Sequence, residues 1–269
     1  MKIDVHTHIN STDPEQLENF VKTCEKSETI ACICSAGPRS DHEYPANDAT
    51  LKAAKQYPEF LIPFAFVDLW DKIDADVIDK FAEQGFKGLK CITPYYPYDH
   101  DLYMPVYEKA EKLKLPVLFH TGAFRPSKKD AVTRRPLLKN MNPLNLDRIA
   151  RSFPDLKIIM AHLGTTFFRK EASELIKLHP NLYADLAGNG SWMAIQPAEL
   201  ASWLGSCIME VDSTFAGFKK LLLGSDAYFT APGIMLDAQK YYELLLRRIG
   251  VPRDIIDDIM GKTASGWLF

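Results

Sequence analysis

Asp4-Val5-His6-Thr7-His8 stands in an extended apolar run near the N-terminus, and its two imidazoles are the strongest chemical signal in the chain. Side chains of a strand alternate between two faces, so Asp4, His6 and His8 are expected to share one. Two neutral imidazoles one pleat apart can converge on a single zinc-like divalent cation. The bland reading of the same pair is two half-exposed histidines on an edge strand. Other residues weigh between the two readings. Phe119-His120-Thr121-Gly122, Ala161-His162-Leu163-Gly164 and Gly224-Ser225-Asp226 each close a short apolar run. Singly, His120 or His162 could be a buried histidine satisfied by backbone, and Asp226 a helix N-cap before Pro232. Together they bring four of the seven histidines and an aspartate to strand ends, which is improbable by chance.

The elements that must hold these residues can be read from periodicity. Apolar, β-branched runs alternate with helix-period segments throughout, the pattern of an α/β fold with a parallel sheet. Strands are expected at Ile3 to Ile9, Thr29 to Ser35, Phe60 to Val67, Phe86 to Ile92, Pro116 to His120, Leu156 to Ala161, Asn181 to Asp185 and Leu221 to Gly224. Helices are expected at Pro14 to Lys26 (with Asp13 as N-cap), Asp48 to Gln56, Asp71 to Gln84, Tyr103 to Leu113, Asn142 to Ser152, Thr166 to Leu178, Ile234 to Ile249 and Arg253 to Met260. Eight strands with intervening helices in 269 residues match a (β/α)8 TIM barrel, read as one domain over residues 1–269. A doubly wound sheet that binds a dinucleotide fits less well, because the first strand-to-helix turn, Asn10 to Pro14, contains no glycine. In a barrel the active groups sit at the carboxyl ends of the strands, where His6, His8, His120, His162 and Asp226 fall.

Composition narrows the partners. The net charge of −3 offers no basic field for nucleic acid or anionic lipid, so a small-molecule substrate is expected. Five cysteines, three of them inside apolar strand-like runs, read as reduced core thiols. No signal-peptide pattern opens the sequence, and no apolar run reaches the span of about 18 residues that a membrane helix needs. A cytoplasmic protein is the expectation. Tyr241-Tyr242 and Trp267-Leu268-Phe269, taken as exposed, suggest a contact surface for a homo-oligomer.

With its motifs in this order and spacing, the chain resembles the amidohydrolase superfamily, and within it the amidohydrolase 2 branch of hydrolases and related decarboxylases. The carriers are Asp4 to His8, Gly88-Leu89-Lys90, Pro116 to Gly122, Ala161 to Gly164 and Gly224 to Asp226, and the resemblance spans essentially the whole chain. It implies one divalent metal held by His6, His8, His120 and Asp226, with His162 acting on water or substrate as acid/base. It also implies that Lys262-Thr263-Ala264, where the family often has Asn-Ala, packs on the barrel exterior. Three imidazoles and a carboxylate suit zinc, with manganese or iron as alternatives. A metal in such a set can bring the pKa of a bound water down to about 7. Asp226 can take a proton from that water and pass it to the leaving group, help typically worth about 10²–10⁴-fold. Asp4, on the same strand face, reads as support for the ligands. Lys90 stands where binuclear members of the superfamily carry a carboxylated lysine bridging two metals; a salt-bridged or substrate-facing lysine is the favoured reading.

Arg125, Asn189, Trp192 and Tyr228 come from loops after strands five, seven and eight and are candidate substrate contacts. The leading functional reading is metal-dependent hydrolysis of a small ester, lactone or amide. The second is non-oxidative decarboxylation of an unsaturated or aromatic carboxylic acid, which the resemblance also implies. The short connection after the first strand favours the hydrolase, since decarboxylases of the branch usually carry a long insertion there. A non-catalytic binding protein on the same scaffold ranks third, because the ligand set is intact.

Overall fold

A computed structural model of the chain describes residues 1–37, 44–70, 73–124, 137–188, 195–205 and 214–269. Nine parallel strands run β1 (Lys2–His8), β2 (Thr29–Cys34), β3 (Leu61–Val67), β4 (Gly88–Cys91), β5 (Val117–His120), β6 (Ile158–Ala161), β7 (Leu182–Asp185), β8 (Leu221–Leu222) and β9 (Ala227–Tyr228). Their order is β8-β7-β6-β5-β4-β3-β2-β1-β9. The last two are halves of one passage of chain: β8 pairs with β7 while β9 pairs with β1. Between them the Val5 amide donates to the Leu223 carbonyl at 2.9 Å. That passage closes the sheet into the TIM-barrel fold anticipated from the alternation of elements.

Parallel neighbours need crossover connections, and helices supply them. They are α1 (Pro14–Lys26), α2 (Asn47–Gln56), α3 (Val77–Gln84), α4 (Met104–Lys112), α5 (Leu146–Ser152), α6 (Thr165–Leu178), α7 (Pro197–Leu204), α8 (Gly233–Ile249), α9 (Arg253–Asp257) and α10 (Thr263–Leu268). Helix α1 begins where Asp13 and Pro14 say it should, with Asp13 Oδ1 accepting the Glu15 amide at 2.9 Å. Helix α3 starts later than expected. Residues 71–72 lie outside the described residues, and Asp74 Oδ1 accepts the Asp76 amide at 3.0 Å in a turn before the helix. Helices α7 and α10 were not anticipated. No described helix is long and apolar enough to cross a membrane.

Strand β1 departs from simple alternation. Asp4 pairs with Ala31 and Thr7 with Ile33, so β1 carries one extra residue between them, a bulge. Before the bulge the inward residues are Ile3 and Val5, packed with Cys32, Cys34, Phe64, Leu118, Ile159 and Leu222 in the barrel interior. After it they are His6 and His8. Asp4 therefore does not share their face, contrary to the strict period of two.

The interior is filled by apolar side chains at its lower end. Phe64 is fully buried, and a Cβ on Gly88 would lie 2.5 Å from its ring, so the glycine makes room for the aromatic side chain that fills the barrel. Across the floor, Ala264 of α10 joins the interior cluster and Trp267 packs on Tyr183, with ring centroids 4.6 Å apart. The C-terminal segment thus caps the barrel instead of lying on its outside. Nor is Tyr242 a surface residue. It is 1 % exposed, and its hydroxyl accepts the Leu186 amide and donates to the Gly224 carbonyl. Cys24, Cys32, Cys34 and Cys91 are buried free thiols, while Cys207 lies outside the described residues.

Candidate metal centre

At the carboxyl ends of the strands the polar side chains converge. His6 Nε2 lies 3.2 Å from His8 Nε2, and Asp226 Oδ1 lies 3.2 Å from His8 Nε2 and 3.6 Å from His6 Nε2. The rings continue along the rim as a chain, with His6 5.0 Å from His162 and His162 4.7 Å from His120, centroid to centroid. All four imidazoles are buried.

Partners on the far side of each ring fix which nitrogen faces the centre, because carbonyls and carboxylates only accept. His6 Nδ1 donates to Asp185 Oδ2 at 2.9 Å, His8 Nδ1 to the Cys34 carbonyl at 3.2 Å, and His162 Nδ1 to the Ala187 carbonyl at 2.9 Å. In each ring Nε2 is left for the centre. Burial, reinforced by the Lys90 ammonium, holds the His6 pKa well below its ordinary value, so its Nε2 carries a lone pair at neutral pH. Burial also opposes charge on His8, but the Cys34 sulfur and the Asp226 carboxylate outweigh it and raise that pKa to about 9. Burial disfavours the charge on Asp226 as well; its hydrogen bond to His8 and the His6 and His8 rings prevail and hold the carboxyl well below the usual range.

Two imidazole nitrogens and one carboxylate oxygen thus aim at one point. His6, His8 and Asp226 form one of two described groups whose ligand atoms lie within 4.8 Å of each other; the second is His6, His162 and Asp185. In the protein alone a single proton between His8 and Asp226 balances the first group, and a divalent cation replaces such a proton when it binds. The donor set fits zinc or manganese. His120 is brought to the same rim with a different aim: its Nδ1 faces His162 Nε2 at 3.1 Å and its Nε2 faces the Ala123 carbonyl at 3.3 Å. Lys90 is fully buried and donates to His6 Nε2 at 3.0 Å; among the described residues no carboxylate lies within ion-pair distance of it.

The backbone under these side chains is bent on purpose. His162 (φ 66°), Leu163 (φ 42°), Thr165 (φ 56°) and Asp226 (φ 61°) adopt left-handed conformations that side chains with a Cβ resist. The turn after β6 approaches the turn after β5 so closely that a Cβ on Gly122 would sit 2.3 Å from the Gly164 carbonyl oxygen. Thr121 Oγ1 ties the two together, donating to the Ala161 carbonyl at 2.6 Å and accepting the Gly164 amide at 3.1 Å.

Aromatic side chains wall the centre. Tyr228 stacks on His8 at 5.8 Å, Tyr44 meets the same ring edge-on at 5.6 Å, and Phe124 lies 5.5 Å from His120. Burial pushes both phenol pKa values up, which keeps their hydroxyls protonated. Arg125, Asn189 and Trp192 lie outside the described residues. Two participants were not singled out from sequence. Tyr44 follows a polar loop with no pattern around it. Asp185 ends β7 as His120 ends β5, and that strand-end position was the available signal.

A family model for amidohydrolases, Amidohydro_2, matches residues 40–268. The chain belongs to the amidohydrolase 2 family. No curated protein sequence matches it. Similar solved structures include an uncharacterised TIM-barrel protein from Bordetella bronchiseptica, 17 % identical, covering 99 % of this chain and 98 % of that one with a TM-score of 0.70. A probable 2-pyrone-4,6-dicarboxylic acid hydrolase from Acinetobacter baumannii is 14 % identical over 99 % and 98 % of the two chains, TM-score 0.61. A dihydroxybenzoic acid decarboxylase from Polaromonas sp., with bound manganese and 2-nitroresorcinol, is 14 % identical over 99 % and 96 %, TM-score 0.62. At these identities the likeness carries the fold, and this amidohydrolase 2 chain shares it with hydrolase and decarboxylase alike.

Proposed function

We propose that this protein is a metal-dependent hydrolase acting on a small, planar ester, lactone or amide. The observation that carries the reading is the convergence of His6 Nε2, His8 Nε2 and Asp226 Oδ1 on one point, with Asp226 held ionised. His6, His8 and Asp226 would hold one zinc or manganese ion, and His120 would complete the set by turning its ring from His162. When bound, such an ion supplies a Lewis acid and an activated water. Asp226 accepts the proton that hydrolysis releases and delivers it to the leaving group. The ring of His162, fixed through Nδ1 by the Ala187 carbonyl, presents Nε2 to the substrate carbonyl or to water. Tyr44, Tyr228 and Phe124 flank a flat substrate, and the two phenols, hydrogen-bonded to each other, leave one O–H donor for its oxygens. Arg125, Asn189 and Trp192 remain proposed substrate contacts.

Decarboxylation of an aromatic or unsaturated acid is the second reading, supported by the same aromatic walls and by the manganese-bearing decarboxylase of similar fold. The connection from His8 to Pro14 is only about five residues long, which favours the hydrolase. Lys90, directed at His6, is read as a neighbour of the metal, with a bridging role the lesser reading. Buried free thiols suit a reducing, cytoplasmic setting, and a small molecule is the expected partner. The test is metal content by elemental mass spectrometry for the wild type and His6→Ala, followed by turnover of a panel of lactones, esters, amides and aryl carboxylates. One equivalent of metal lost on mutation, with lactone, ester or amide turnover, supports the reading; carbon dioxide release from aryl carboxylates transfers it to the decarboxylase. A second equivalent would promote Lys90 to a bridging ligand, and a metal-free wild type would overturn the reading.

A further inference from the structure

Asp185 is a fully buried carboxylate that holds two of the site's histidines at once, from the side away from Asp226. Its Oδ2 accepts His6 Nδ1 at 2.9 Å, while Oδ1 accepts the main-chain amides of His162 at 2.7 Å and Ala187 at 2.9 Å. Ala187 returns the grip by accepting His162 Nδ1 through its carbonyl at 2.9 Å. One acidic side chain at the end of β7 therefore sets the ring of His6 on β1 and clamps the left-handed backbone of His162 after β6. Space for it is reserved: a Cβ on Gly224 would lie 2.7 Å from Asp185 Cβ and 2.9 Å from Oδ2.

We propose that Asp185 is a positioning residue that fixes the tautomer of His6, and so the availability of its Nε2, while locking His162 in place. The argument is one of donors and acceptors. Three N–H groups point at Asp185, and an ionised carboxylate accepts from all three. A carboxamide of the same shape cannot. The two main-chain amides after β6 and β7 have no alternative protonation state, so in Asp185→Asn the amide oxygen must face them. Its NH2 then faces His6 Nδ1, which can accept only by moving its proton to Nε2. That proton would occupy the lone pair aimed at the centre. The metal consequence rests on the reading of His6 as a ligand; the tautomer consequence does not.

The experiment uses ¹⁵N-histidine-labelled full-length protein, freed of metal, and reads the His6 ring nitrogens by NMR. Zinc and manganese titrations follow by calorimetry, with a thermal melt as the check on folding. Wild-type His6 is expected as the Nδ1–H form with a low-field proton. Asp185→Asn is expected to show Nε2–H and to bind metal about 10–100-fold more weakly, the usual cost of losing an outer partner of a metal histidine. Gly224→Ala is the second variant. It keeps the carboxylate but pushes it off His6, and should move the Nδ1 proton upfield and weaken metal binding with Asp185 intact. Nδ1–H retained in Asp185→Asn, with metal affinity within twofold of wild type, would overturn the proposal. Should Asp185→Asn not fold, an unshifted Nδ1 proton in Gly224→Ala overturns it equally. A tautomer switch in a protein that binds no metal even as wild type upholds the coupling and removes the metal reading.

Discussion

The two ends of the barrel are built from opposite materials. At the floor, Ile3, Val5, Phe64, Leu118, Ile159 and Leu222 fill the interior as one apolar cluster, and Ala264 closes it. At the rim, the buried side chains include His6, His8, Lys90, His120, His162 and Asp185. Backbone conformation divides the same way. Glu28 and Lys114, the left-handed residues of the floor turns, are exposed, whereas Thr93, His162 and Leu163 at the rim are buried. Exposed turn residues bear that conformation cheaply. Buried ones persist only where surrounding contacts over-determine them, as Asp185 and Thr121 do here. The floor supplies the stability that the rim expends on holding charge and strain together.

The contrast can be broken by substitutions that should act on one end alone. On the proposed acid/base role of Asp226, Asp226→Ala is expected to lower turnover by about 10²–10⁴-fold, while costing less stability than any floor variant. Steady-state kinetics beside a urea unfolding curve will check both halves. Phe64→Ala should do the reverse. It empties the barrel interior at a cost of about 3–5 kcal/mol, and the protein that remains folded should turn over at close to the wild-type rate per site. A comparable loss of rate in the folded fraction would mean that the floor also tunes the chemistry.

Asp4 sharpens the comparison because it lies at the boundary. Its Oδ1 accepts the His6 and Ser225 amides at 3.1 and 3.0 Å, its Oδ2 is buried with no partner among the described residues, and burial raises its pKa to about 7. A carboxyl whose pKa is higher folded than unfolded favours the folded state most fully below the unfolded value of about 3.9. That contribution is lost as pH rises through about 7. In metal-free protein, stability should therefore decline across that window on account of Asp4. Asp4→Asn keeps the acceptor and removes the ionisation, so the slope of unfolding free energy against pH should flatten between pH 4 and 7. An unchanged slope would assign the effect elsewhere. The smallest effect belongs far from both ends: Asp13→Ala removes the α1 cap and should cost about 1 kcal/mol by chemical denaturation, with turnover unchanged.

Much of this was legible in the residues. The alternation of runs placed α1 to the residue, and strand-end polarity marked His6, His8, His120, His162 and Asp226 before any geometry. What escaped was whatever depends on a break in period or on distant partners. The bulge in β1 hides behind an unbroken apolar run, because one extra residue changes the facing of side chains without changing their composition. Helix α7 is only Pro197–Leu204, short enough for its pattern to pass as a loop. Asp185 looked like the end of a strand; its importance comes from His6 and His162, which lie 179 and 23 residues earlier in the sequence. The ring direction of His120 is likewise a matter of packing, set by Ala123 and His162.

The closing passage of the barrel has a consequence for how the protein comes into being. His6 and His8 belong to the first strand, while Asp226 and the β9 residues that pair with it arrive almost at the end of the described chain. During synthesis the two histidines leave the ribosome long before their carboxylate partner. Contacts so distant in sequence close late in folding, because the intervening loop must first be ordered. The nascent barrel is therefore an open, edge-exposed sheet until β9 is made, and the proposed metal point is completed only when the seam is sealed.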